Sequence, residues 1–285
     1  MLALLATGRR SPLNREPLPM LLRLLCVGLL LSLAWADAPF YLSSAQLGGG
    51  THHQRHEELL ADSTVGYNGC VLRAIDKVQA SAPEGGGYFT GVKAVPAESP
   101  IGYGLQLLGA PLLAPPRTTS YCSGSSYAVL VEALNALYPG RRLDERRLEG
   151  MRMQEPDGGR REDRVKAWGW WNADGYGSQF CLVQYLGLGE EVAPRDALPG
   201  DFVNISWKSG NGHSVVFLGY SRDEQDGLRV SFFSSQASTQ GLADHTVSAD
   251  LIEDVKFVRL THPERLFTFE PGVVQTEVPK DHLDF

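Results

Sequence analysis

Thr118-Thr119-Ser120-Tyr121-Cys122-Ser123-Gly124-Ser125-Ser126-Tyr127-Ala128-Val129-Leu130 is the stretch on which the fold turns. Small polar residues surround one cysteine, and apolar residues then recur at helical spacing: Tyr127, Leu130, Val131, Leu134, Leu137 and Tyr138. Pro139-Gly140 stops the pattern. The reading is a loop that becomes a helix at Cys122. A thiol there meets the N–H groups of the first turn and the positive end of the helix dipole. Both favour thiolate, the nucleophilic form. The alternative is a buried structural thiol, since free cysteine packs well in cores.

Working outward, the chain has 285 residues, enough for one sizeable core with a smaller added region. Arg9, Arg10, Arg15 and Arg23 precede the apolar run Leu24–Leu33, which ends at Ala34-Trp35-Ala36. That pattern reads as a secretory leader, residues 1–36, cleaved before Asp37, with Met20 as an alternative initiator. The run is shorter than the roughly 18 residues a spanning helix needs, so no membrane span is expected after cleavage. The expected location is secreted or periplasmic. Net charge is −7, and loss of the Arg-rich leader makes the remainder more acidic still. Such a chain is not built to bind nucleic acid by charge. The Arg-rich stretch Arg141–Arg164 is interleaved with Asp and Glu and reads as a solvated helical face.

Export leaves Cys70, Cys122 and Cys181, an odd number in an oxidising compartment. If Cys70 pairs with Cys181, Cys122 remains free; all three staying reduced is the alternative. Cys70 opens a second helical pattern (Val71, Leu72, Ile75, Val78) and is a rival nucleophile in more apolar surroundings. His52, His53 and His56 lie close together, but no acidic or cysteine partner sits at ligand spacing. They read as a solvated loop leading into a helix, and no metal is assigned. Trp168, Trp170 and Trp171, set among Gly and Asn, read either as core fillers or as a cleft wall for substrate. A short helix near Ser178–Tyr185 ends at Gly187.

The other half of the candidate site is a run of strands. Phe202–Lys208 alternates apolar and polar residues after the turn Pro199-Gly200-Asp201. Asn211-Gly212 is a hairpin signal. His213 then leads an apolar strand to Tyr220, and Leu228–Gln236 forms the next. A loop symmetric about Glu224 and Gln225 pairs Gly219 with Val230, Phe217 with Phe232, Val215 with Ser234 and His213 with Gln236. Opposed side chains share a face, so Gln236 is placed to orient the His213 ring. A one-residue slip would put Ser235 there instead. The segment after Thr261 is acidic and Pro-bearing and reads as a partly disordered tail.

Tyr121-Cys122-Ser123-Gly124, Pro199-Gly200-Asp201-Phe202-Val203 and Gly212-His213-Ser214-Val215-Val216-Phe217-Leu218-Gly219, in that order, resemble the NlpC-type and CHAP-type branches of the papain-like cysteine peptidases and amidases. The resemblance covers roughly residues 110–240. It implies an α+β fold in which a helix bearing the cysteine packs on an antiparallel sheet. The expected division is an N-terminal extension at 37–110, a catalytic domain at 111–262 and a tail at 263–285. The resemblance also implies amide hydrolysis, often in cell-wall peptides. Cys122 is then the nucleophile, His213 the base and Gln236 the orienter, with Tyr121, Ser123 and the Trp168–Trp171 segment at the substrate. No cofactor is called for. Tyr121 stands where the family often has Asp, and Gln236 stands where it carries another polar residue or His. Two rivals remain: a non-catalytic exported binding protein on the same scaffold, and a transglutaminase-like acyl transferase using the same dyad.

Overall fold

The computed structural model describes residues 38–89, 98–115, 120–152, 177–272 and 276–285. The leader and Trp168, Trp170 and Trp171 lie outside them. The helices are α1 (His56–Leu60), α2 (Asn68–Ala80), α3 (Cys122–Leu137) and α4 (Glu145–Met151). A small hairpin, β1 (Leu105–Leu107) and β2 (Ala110–Leu113), precedes α3. A helical turn, Gly177–Gln179, runs on into a π-helix at Phe180–Tyr185. Six strands follow: β3 (Gly189–Val192), β4 (Phe202–Trp207), β5 (Gly212–Arg222), β6 (Leu228–Gln236), β7 (Gly241–Ser248) and β8 (Ile252–Leu260). They make one antiparallel sheet in the order β3-β8-β4-β5-β6-β7. The class is α+β. Among the described residues no helix is long and apolar enough to cross a membrane.

The helix starting at Cys122 forms as the spacing predicts, and it is buried from Cys122 to Leu134. A helix apolar on all sides needs partners on all sides. α3 has α2 and β1 on one side and β5 and β6 on the other. Gly124 lets the first turn approach closely: a Cβ there would overlap Pro100 and the Tyr121 ring.

The sheet has two apolar faces. Phe202, Val216, Leu218 and Phe233 face the helices, while Val203, Val215, Phe217 and Phe232 face a second apolar layer. The expected pairing of Phe217 with Phe232 holds, but Gly219 pairs with Ser231 rather than Val230. The cause is a bulge between Phe217 and Gly219. There the segment Phe40–Leu42 lies alongside β5. The Tyr220 N–H donates to Phe40 O at 3.0 Å and the Leu42 N–H to Tyr220 O at 2.8 Å. A Cβ on Gly219 would come within 2.6 Å of the Leu42 side chain.

Residues on either side of the expected catalytic domain belong to the same body, Pro39–Phe285. α2 supplies Val71, Leu72, Ile75 and Val78 to the helix-side core. The tail, expected to be partly disordered, instead packs over residues 276–285. Val255 and Asp281 exchange backbone hydrogen bonds, and Lys256 Nζ lies 3.0 Å from the Asp281 carboxylate. The Phe285 ring sits 5.1 Å from that of Tyr220. Apolar contact with the second layer is what holds it there.

The Pro199-Gly200-Asp201 turn is anchored by its acid. Asp201 is fully buried and accepts two bonds from the Arg259 guanidinium, at 2.8 and 2.7 Å. Asn68 Nδ2 donates to the same carboxylate at 2.9 Å and the Leu198 N–H at 2.8 Å. Burial pushes the Asp201 carboxyl up, while Arg259 and Asn68 pull the other way. Removing one member of a buried ion pair strands the other charge. Arg259→Met is therefore expected to cost about 3–5 kcal/mol of stability. Urea unfolding measures it; a loss under about 1 kcal/mol, the level of a surface pair, would contradict the assignment.

Candidate active site at the start of the central helix

Tyr121 precedes α3 in extended backbone, and Cys122 is the first helical residue. The serines after it bond back to the turn. Ser125 Oγ donates to Cys122 O at 2.7 Å, and Ser126 Oγ to Ser123 O at 3.2 Å. The first-turn N–H groups point along the axis toward the N-terminal side, as helix geometry demands.

Two serine pairs fasten this turn to the sheet. Just before Cys122, the Ser120 hydroxyl lies 2.6 Å from that of Ser235, next to Gln236. One turn beyond Cys122, the Ser126 hydroxyl lies 2.9 Å from that of Ser214, next to His213. Cys122 thus sits between anchors on the immediate neighbours of both expected partners. Ser120 is held at φ +83° by this bond and by donation to Gly87 O at 3.0 Å. A left-handed non-glycine residue costs on the order of 1–3 kcal/mol and tends to mark functional segments.

His213 lies near the start of β5, opposite Ile205 on β4. Its Nε2 is 3.4 Å from Gln236 Oε1, the neighbour expected from the strand register. Gln236 Nε2 donates to Thr239 Oγ1 at 2.8 Å. That bond leaves the Gln236 amide oxygen facing the ring, where it can accept a proton from Nε2. The ring rests 5.6 Å from Phe232 and 5.9 Å from Trp207. Successive side chains on a strand point to opposite faces. Ser214 faces α3, so His213 faces the second apolar layer. Cys122 and His213 therefore share one end of the sheet but not one face.

The other expected residues fall as follows. Ser123 is in the buried first turn. Tyr121, expected at the substrate, is instead 3% exposed and part of the helix-side core, its ring filling the space beside Gly124. The tryptophan platform lies outside the described residues. No disulfide joins Cys70, Cys122 or Cys181 to another of the three, so the Cys70–Cys181 pairing does not occur. Cys181 packs inside the helix-side apolar cluster, whereas Cys122 belongs to neither cluster.

Sequence reading missed Ser120, Ser126, Ser214 and Ser235, although the doublets Ser125-Ser126 and Ser234-Ser235 were visible. It also missed the surroundings of His56, which is buried and heads α1 rather than lying in a solvated loop.

The fold and site thus define an α+β protein with an enclosed thiol at a helix start, over a sheet end carrying a Gln-oriented histidine. Comparison with protein-family models, with curated proteins and with solved structures gave no match.

If the Ser126–Ser214 pair acts as an anchor, Ser126→Ala and Ser214→Ala will not add. Chemical denaturation of both single variants and the double is expected to give a coupling of about 0.5–3 kcal/mol. Additive losses would remove the anchor from the account.

Proposed function

We propose that the protein is an exported cysteine hydrolase of the papain-like kind, of NlpC or CHAP type, that cleaves amide bonds in cell-wall peptides. The observation that supports the reading is the double serine fastening, which holds the Cys122 turn against Ser214 and Ser235, the chain neighbours of His213 and Gln236. The Gln236 contact adds to it, because a base needs a third group to hold its tautomer.

In this reaction His213 is the base for the Cys122 proton, which requires the ring to come round from the opposite face of the sheet. The sulfur attacks the carbonyl carbon, and the Cys122 backbone N–H stabilises the oxyanion. The imidazolium gives its proton to the departing amine, and the C–N bond breaks to leave a thioester. Water then gives a proton to His213 and attacks the thioester. The C–S bond breaks, the acid leaves, and the sulfur recovers its proton from the imidazolium.

A second reading is a non-catalytic exported binding protein on the same scaffold. The seat of the His213 ring against Phe232 and Trp207 favours it.

Digestion of purified peptidoglycan, followed by mass spectrometry of released fragments, separates the two. Wild type is expected to release amide-cleaved fragments and Cys122→Ala none. His213→Ala is expected to slow release by about 10²–10⁴-fold, the usual worth of a general base. Cleavage that survives in Cys122→Ala would overturn the hydrolase reading. Retention of wild type on peptidoglycan without product would establish the binding reading instead.

A further inference from the structure

Folding gives the histidine run the acidic partners its sequence neighbourhood lacks. His56 is 1% exposed. Its Nδ1 lies 2.7 Å from Asp76 Oδ1, and its Nε2 lies 2.8 Å from Asp244 Oδ1. His53 Nε2 lies 3.0 Å from the other oxygen of Asp244. The two rings stack at 4.1 Å and 24°, so both Nε2 atoms meet the same carboxylate. One ligand atom each from His53, His56 and Asp244 falls within 4.8 Å of the others.

The surroundings are fitted to this cluster. Asp76 is held by the N–H groups of His56, at 2.8 Å, and Glu57, at 3.0 Å. When such a carboxylate accepts the Nδ1 proton, the Nε2 lone pair faces outward, which is how histidine ligands are commonly oriented. Gly49 leaves room for the His53 ring: a Cβ there would stand 2.7 Å from Nε2. Two carboxylates flank this one buried imidazole.

We propose that His53 Nε2, His56 Nε2 and the Asp244 carboxylate bind one divalent transition-metal ion of the zinc class, with Asp76 orienting His56. Metal–nitrogen bonds of about 2.0–2.1 Å give a tetrahedral ligand–ligand edge of about 3.3 Å. The present gaps of 2.8 and 3.0 Å need to open only slightly for the ion to enter. Two imidazoles with one carboxylate select zinc-like ions over Mg²⁺ or Ca²⁺. Three protein ligands leave a fourth position, as in sites that hold a water or a substrate atom. His53, His56 and Asp244 line a cavity of about 730 Å³, which also includes Thr239 and so abuts the Gln236 anchor. This inference does not rest on the role of Cys122.

The test uses the untagged chain, stripped with chelator and dialysed. Zn²⁺ is titrated by calorimetry and Co²⁺ by visible absorption. One Zn²⁺ per chain is expected, with Co²⁺ bands characteristic of a low-coordinate nitrogen–oxygen site. His53→Gln and Asp244→Asn are expected to abolish the bands, and Asp76→Asn to weaken binding by about 10–100-fold. His282→Gln, at an exposed histidine bonded to Glu253 O, should change nothing. Asp244→Asn removes a half-buried charge that pairs with both histidines and can unfold the chain, so His53→Gln decides. Zn²⁺ should raise the melting temperature of wild type and not of His53→Gln. Absence of saturable binding, or equal binding by wild type and His53→Gln, would leave only a charge cluster and overturn the proposal.

Discussion

A pair of serine contacts, Ser120 with Ser235 and Ser126 with Ser214, sets where the first turn of α3 lies. Apolar burial alone does not do this. Hydrophobic contact is non-directional, and it holds α3 on the sheet without fixing how far the helix slides along its own axis. Hydroxyl pairs at 2.6 and 2.9 Å do fix it, because a slide of one residue breaks both. The serines are buried, so leaving a hydroxyl unpaired would cost about 1–3 kcal/mol each. Whatever Cys122 does chemically depends on that placement.

The same logic holds further along. Asp201 ties the turn before β4 to α2 through Asn68 and to β8 through Arg259, so three elements share one carboxylate. Buried polar groups of this kind cost stability when half satisfied and fix a unique geometry when fully satisfied. Together, these polar ties locate the end of the sheet, with the thiol on its helix side and the histidine and glutamine on the other face.

Much of this was readable in the residues. Alternation in Phe202–Trp207 and the Asn211-Gly212 signal disclose β4 and the start of β5, and the symmetric loop after Arg222 discloses the Phe217–Phe232 pair. Gln236 beside His213 follows from that register. The Gly219 bulge does not, because its cause is Phe40–Leu42, a segment distant in the chain. β7 and β8 were not foreseen, and the packed tail depends on β8. The acids around His56 were hidden for the same reason: Asp76 lies 20 residues away and Asp244 lies 188. The face that His213 occupies was hidden differently. Register sets which residues oppose each other, but the helix covers only one side, and its choice of Ser214 rather than His213 rests on the Ser126 hydroxyl.

The hydrolase reading requires the His213 ring to draw the proton of Cys122 from the other face of the sheet. The most direct measurement is the rate of Cys122 alkylation by iodoacetamide as a function of pH, in wild type and in His213→Gln, read by peptide mapping. If the imidazole draws the thiol proton, wild type will react well below pH 8 and the variant will lose that low-pH limb, leaving the profile of an ordinary thiol with a pKa of about 8.5. Superimposable profiles would show that the two groups act independently and would contradict the account.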